Sequence, residues 1–222
     1  MGTQDRDKVN IDSKPDSIIH RGFDDFSRGR FDNGGDNLYV NASGKIGMIH
    51  STDVNDDGYV DIVLPNSHAD SERGPTRVYS QSADGEWSMA ELPNDSGWIS
   101  LVTDVDGDGY PDLVVSNAEN GVTSELNSYI YWGGPDGLTE ERTELATSGA
   151  YQVAAVDLAG NGLPHLIFTS AWVDHHNPGQ PRPLHVFEQV SPRSFVDRAE
   201  EFGIMGTAAR SLVAADLNHN GH

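Results

Sequence analysis

The nine residues Asp104-Val105-Asp106-Gly107-Asp108-Gly109-Tyr110-Pro111-Asp112, followed at once by Leu113-Val114-Val115, constrain this chain more than any other stretch. Carboxylates stand at positions 1, 3, 5 and 9 of the run, and a glycine at position 6. In so tight a turn alternate side chains point to one concave side, which makes hard oxygens converge. Like charges that close repel one another unless a cation joins them. Calcium takes six to eight oxygens at about 2.3–2.6 Å and suits such a donor set. The backbone carbonyl of Tyr110, at position 7, supplies one more oxygen, and water the remainder.

The pattern repeats. Upstream it reads Asp53-Val54-Asn55-Asp56-Asp57-Gly58-Tyr59-Val60-Asp61, before the apolar run Ile62-Val63-Leu64. The ligand set predicted there is Asp53, Asn55, Asp57, the Tyr59 carbonyl and Asp61; in the second copy it is Asp104, Asp106, Asp108, the Tyr110 carbonyl and Asp112. A third copy, Asp157-Leu158-Ala159-Gly160-Asn161-Gly162-Leu163-Pro164-His165, lacks acids at positions 3 and 9 and predicts at most a weak site on Asp157 and Asn161. His165 is a poor ligand for a hard cation. The chain stops inside a fourth copy, whose Asp216, Asn218 and Asn220 again predict weak binding. An EF-hand uses the same opening positions, but it needs a Glu at position 12 and flanking helices. Position 12 is Leu64, Val115 and Phe168, each within an apolar run of strand type.

First positions at 53, 104, 157 and 216 set a period of roughly 50–60 residues, the range of repeated β units. Within each period the order is constant. A strand enters the loop (Ile99–Thr103, Val153–Val156, Leu212–Ala215) and another leaves it. A third follows a variable connection (Thr76–Ser80, Tyr129–Trp132, Leu184–Phe187), and a weaker fourth, such as Arg142–Leu145, closes the unit. Four short antiparallel strands per repeat make the blade of a β-propeller. The fold class expected is all-β. Units fall at 46–95, 97–147 and 149–204, with a partial blade at 22–45, a truncated one at 206–222 and a polar tail at 1–21. Leu38–Val40 matches a third strand of a preceding unit, and a helical turn is expected only near Val196–Phe202. Three complete units with partial ones at both ends predict an incomplete ring, cut from a longer chain that carries the remaining blades.

These loops, each between the first two strands of a unit of about fifty residues, resemble the FG-GAP (VCBS-type) repeat of integrin α-subunit propellers and many bacterial exported proteins. The resemblance covers about residues 22–222. It departs in the weakened third loop and in having fewer blades than the usual seven. It implies a non-catalytic module with structural calcium in its inter-strand loops, in two sites and up to four. Its partner would be an extracellular protein or glycan, and its place the cell exterior, cell surface or periplasm.

Composition limits the alternatives. Thirty-five acidic against 14 basic residues give a formal charge of −21, which excludes the basic stripe that a phosphate backbone requires. No cysteine is present, so disulfides, thiolate metal sites and cysteine nucleophiles are excluded. No run approaches the ~18 apolar residues of a membrane span, so membrane insertion is not expected. No Gly-x-Ser-x-Gly or His-Glu-x-x-His motif occurs. The alternative functions are a lyase-like, calcium-dependent polysaccharide-active enzyme using His68, Arg73 and His175, and a structural spacer of a large surface protein. His175 and His176, in the Pro- and Gly-rich insertion 171–183, together with His185 or His68 are the candidates for a transition-metal or catalytic site.

Overall fold

In the computed structural model, residues 37–40, 46–49, 53–59, 61–65, 74–170, 181–207 and 209–214 are described. They form fifteen strands and one four-residue helix. The strands are β1 (Asn37–Val40), β2 (Ile46–Ile49), β3 (Ile62–Leu64), β4 (Thr76–Gln81), β5 (Trp87–Leu92), β6 (Gly97–Thr103), β7 (Asp112–Asn117) and β8 (Asn127–Tyr131). They continue with β9 (Arg142–Ala146), β10 (Ala150–Val156), β11 (His165–Ser170), β12 (Arg182–Pro183), β13 (His185–Ser191), β14 (Ser194–Asp197) and β15 (Met205–Gly206). The helix, α1 (Ala199–Phe202), falls within the expected Val196–Phe202 stretch and ends on Gly203 in the left-handed conformation, φ 60°.

Two sheets are complete four-stranded antiparallel meanders, β6-β7-β8-β9 and β10-β11-β13-β14. A third sheet, β3-β4-β5, has three strands. These are successive blades of a propeller-like fold, and the ring is not closed among the described residues. The stretch expected to enter the first unit, Ile46–Thr52, contributes β2, which pairs in the described residues with β1 from Asn37↔Ile49 to Val40↔Ile46.

Each blade packs face to face on the next. In β7 every residue is buried. Leu113 and Val115 join Val54, Val78, Leu92, Tyr129 and Tyr131 on the side of the preceding blade. Val114 joins Ile130, Leu145, Val153, Leu166, Phe168 and Phe187 on the side of the next. A strand covered on both faces has no use for alternation, which explains the unbroken apolar runs that follow the loops. On β3 the register positions of Leu113 and Val115 belong to Ile62 and Leu64, and both are exposed.

Polar groups stitch the seams. Between the first two blades, the Tyr131 hydroxyl donates to the Pro93 carbonyl and the Tyr129 hydroxyl to Asp95. The Arg142 guanidinium also reaches the Pro93 carbonyl, at 2.9 Å, and lies 4.1 Å over the Tyr129 ring. Between the second and third, Ser116 Oγ donates to the Tyr151 carbonyl at 3.0 Å. On the far face of the third blade, the Gln152 amide pairs with both backbone groups of Leu212, at 3.1 and 3.3 Å.

Phe168 is fully buried, edge-on to Phe187 with ring centroids 5.9 Å apart. Phe168→Ala should therefore lower unfolding free energy by about 3–5 kcal/mol. Chemical denaturation checks this, with loss of midpoint at an unchanged slope as the expected result.

Candidate metal centre

The second loop connects β6 to β7 and is built on its own aspartates. Asp104 Oδ1 accepts the Gly107 N–H at 2.7 Å and Oδ2 the Gly109 N–H at 3.0 Å. Asp106 Oδ1 accepts from Asp108 N–H at 3.3 Å, and Asp108 Oδ1 from Tyr110 N–H at 2.9 Å. Gly107 and Gly109 have φ of 79° and 91°, a backbone that side chains resist, which is why glycine alternates with aspartate here. One carboxylate oxygen from each of Asp104, Asp106 and Asp108 lies within 4.8 Å of the others.

The first loop repeats the design. Asp53 accepts from Asp57 N–H at 3.1 Å and from Gly58 N–H at 2.8 Å, while Asp57 Oδ1 accepts the Tyr59 N–H at 2.9 Å. Asn55 takes the place of Asp106, accepting the Asp57 N–H at 3.2 Å and donating its amide to Asp57 Oδ2, also at 3.2 Å. Asp56 occupies the left-handed position with φ 56°, where the second loop has glycine. Aspartate tolerates that region better than most residues.

The third loop keeps the turn without the cluster. Asp157 accepts from Gly160 and Gly162 N–H, both at 2.7 Å, and Asn161 Oδ1 accepts the Leu163 N–H at 2.9 Å. These backbone bonds, Gly162 first, hold the Asp157 carboxyl below its usual range. The loop conformation is thus set by side-chain-to-backbone bonds in all three copies. Each carboxylate oxygen keeps a lone pair beyond the one it gives to the backbone.

Position 9 sits differently. Asp112 is fully buried; its Oδ2 accepts the Val105 N–H at 2.8 Å and its Oδ1 the Gly133 N–H at 2.8 Å. Asp61 does the same with Val54 N–H at 2.8 Å and Gln81 N–H at 3.2 Å. The two carboxyls expected as ligands lie under the loop, pinning it to the end of the third strand, while Asp104, Asp106 and Asp108 form the open cluster. Gly133 is the residue for that approach, since a Cβ there would stand 2.0 Å from the Pro111 carbonyl oxygen. In the third blade His165 fills the place, buried and edge-on to Phe202.

One contributor has no motif to announce it. Arg193, in the turn between β13 and β14, places Nε 2.8 Å from Asp106 Oδ2 and a terminal nitrogen 3.6 Å from Asp108 Oδ2. It lies 87 residues from Asp106 in sequence, and only the meander brings the two together. The other candidates divide. His185 is fully engaged: Nε2 accepts the Ser148 N–H at 3.2 Å, which leaves Nδ1–H to donate to Asp197 Oδ2 at 2.7 Å. Beneath Arg193, the Trp132 ring is buried and stacks on Phe195. Asp216, Asn218, Asn220, His68, Arg73, His175 and His176 lie outside the described residues.

Burial pushes the Asp61 and Asp112 carboxyls up to about 6, against the pull of their backbone N–H bonds and with help from neighbouring loop carboxylates. A carboxyl whose folded value stands above its unfolded value of about 3.9 adds stability below about pH 4 and loses it as pH rises through about 6. In calcium-free buffer the contribution of these two carboxyls to the thermal midpoint should therefore fall between pH 4 and pH 7. Asp112→Asn, with no proton to lose there, should show a shallower fall in the same melts.

The family model described as FG-GAP-like repeat matches residues 53–115 and 104–168, together just over half of the chain. Each match runs from the first residue of one loop through the strand after the next, so the loops set the family's register. No curated protein and no solved structure matches the chain. With the matched span carrying the loops and blades described above, the chain belongs to the FG-GAP-like repeat family.

Proposed function

We propose that this chain is a non-catalytic, calcium-stabilised propeller module that presents a face to an extracellular protein or glycan. The observation that carries the calcium reading is the convergence of Asp104, Asp106 and Asp108 within 4.8 Å on one loop of a family built around such loops. The donor set is oxygen throughout, as a hard cation requires. Asp104, Asp106 and Asp108 would hold the ion in the second loop, and Asp53, Asn55 and Asp57 in the first. The ion, when bound, neutralises clustered carboxylates at the turn between the first two strands of a blade. Asp61 and Asp112 keep each loop seated on its blade whether or not the ion is there. The third loop offers only Asp157 and Asn161, and its Asx bonds hold the turn unaided.

Sites of this kind in extracellular modules bind at about 10⁻⁴–10⁻³ M, which suits millimolar external calcium. A charge of −21 favours a soluble, mutually repelling surface and disfavours acidic partners such as nucleic acid. A rigid fan of blades with variable connections is a scaffold on which binding surfaces are carried.

A thermal melt in chelator and in about 10 mM calcium, with magnesium as control, tests the reading. With Kd near 0.1 mM one site adds about 2.7 kcal/mol, seen as a raised midpoint in calcium. Magnesium should do much less, because it demands a tighter octahedral shell. Asp108→Ala should lose much of the calcium-dependent rise, and in chelator it should lose only the smaller contribution of its Tyr110 N–H bond and Arg193 pair. Equal midpoints in chelator and calcium for the wild type would overturn the calcium reading.

A further inference from the structure

The turn between the third and fourth strands of one blade lies over the loop of the blade before it. In the second blade this turn contains Gly137, φ 86°, where an added Cβ would stand 3.5 Å from Cβ of Asn55 in the first loop. In the third blade it contains Arg193, whose Nε is 2.8 Å from Asp106 in the second loop. Asn55 and Asp106 both hold position 3 of their loops. The two turns therefore meet equivalent places, one with a glycine and one with a guanidinium.

Arg193 itself has φ 57°, the left-handed region in which the corresponding turns of the first and second blades use Gly85 and Gly137. A long side chain is disfavoured there. What holds it is the company of its head group: Asp106, Asp108 at 3.6 Å, Glu141 at 3.8 Å, and the Trp132 ring, 4.5 Å beneath the guanidinium carbon.

We propose that Arg193 is a built-in counter-cation of the 104–112 loop, which holds the carboxylate cluster together without calcium and weakens calcium binding when the ion arrives. This rests on the calcium reading given above. The ion-free cluster gains an opposite charge where like charges would otherwise repel. An incoming divalent cation must then share Asp106 and Asp108 with a positive charge already hydrogen-bonded to Asp106. By linkage, calcium weakens the hold of Arg193 on Asp106 by the same factor that Arg193 weakens calcium. Acid count alone ranks the second loop, with three aspartates in its cluster, above the first, with two and Asn55. Arg193 lowers the second loop in that order. The sequence conceals this, because the arginine belongs to another repeat.

The test is calorimetric titration of the full chain with calcium chloride after chelator stripping, in an Asp57→Ala background that silences the first loop. Arg193→Gly suits the left-handed turn and removes the charge; Arg193→Gln removes the charge and keeps the side chain's length. Both should bind calcium about tenfold more tightly than the Arg193 parent. Arg193→Lys, which keeps the charge without the planar fork, should stay within about threefold of the parent. Measurable binding by the parent, with unchanged or weaker binding in Arg193→Gly and Arg193→Gln, would overturn the role of Arg193 and leave the calcium reading standing. Calcium heat missing from the parent and from the wild-type chain alike would overturn both.

Discussion

A buried carboxylate that accepts two backbone N–H groups holds each of the first two loops to its blade. Asp112 reaches back to Val105 at the start of its loop and across to Gly133 at the exit of the third strand. Asp61 makes the equivalent pair with Val54 and Gln81. Burying an unpaired carboxylate is costly, and two N–H donors offset much of that cost. The geometry also fixes a register: the loop cannot slide along β7 without breaking both bonds. Everything the open cluster can do, in aiming Asp104, Asp106 and Asp108 at one point, presupposes a loop seated in this way. Where His165 replaces the aspartate, the turn survives on Asp157 and Asn161, but the carboxylates at positions 3 and 9 have gone together.

Much of the fold is legible in the sequence because the repeat states it several times. The apolar runs after the loops become β3, β7 and β11, and the third strands expected at Thr76, Tyr129 and Leu184 appear as β4, β8 and β13 with ends shifted by at most four residues. The loops were equally visible, since Asp and Gly alternate for reasons local to nine residues. What the pattern does not disclose is the division of labour inside the loop. Positions 1, 3, 5 and 9 look alike as letters, yet position 9 opens β7, where the sheet's alternation turns its side chain beneath the turn. The pairing of Ile46–Ile49 with Asn37–Val40 is likewise a choice between two neighbours with similar strand chemistry, which periodicity alone does not rank.

Arg193 marks the other limit. Nothing within ten residues of it suggests a metal loop, and the local reading of its turn is a hairpin corner. Its significance comes from a contact between repeats, and a repeat read singly has no term for its neighbour. Histidine 185 teaches the converse. As a letter beside a histidine-bearing insertion it invites a ligand role, while in the folded blade both ring nitrogens are spent on Ser148 and Asp197.

These contacts place the loops at the seams as well as at the blade ends. Val54 and Val105, the second residues of their loops, are buried in the two inter-blade cores, and Leu163 of the third loop approaches Gly107 of the second. A loop that loosens therefore withdraws a side chain from the packing between blades. In a repeat protein, stability is a sum of units and of the interfaces between neighbours. The second loop bears on both terms: its aspartates hold the turn of its own blade, and Val105 and Asp106 reach the interface with the next. The carboxylate cluster is thus placed at the junction between two blades, where the Arg193 guanidinium of the next blade reaches Asp106 and Asp108 and ties the two units together.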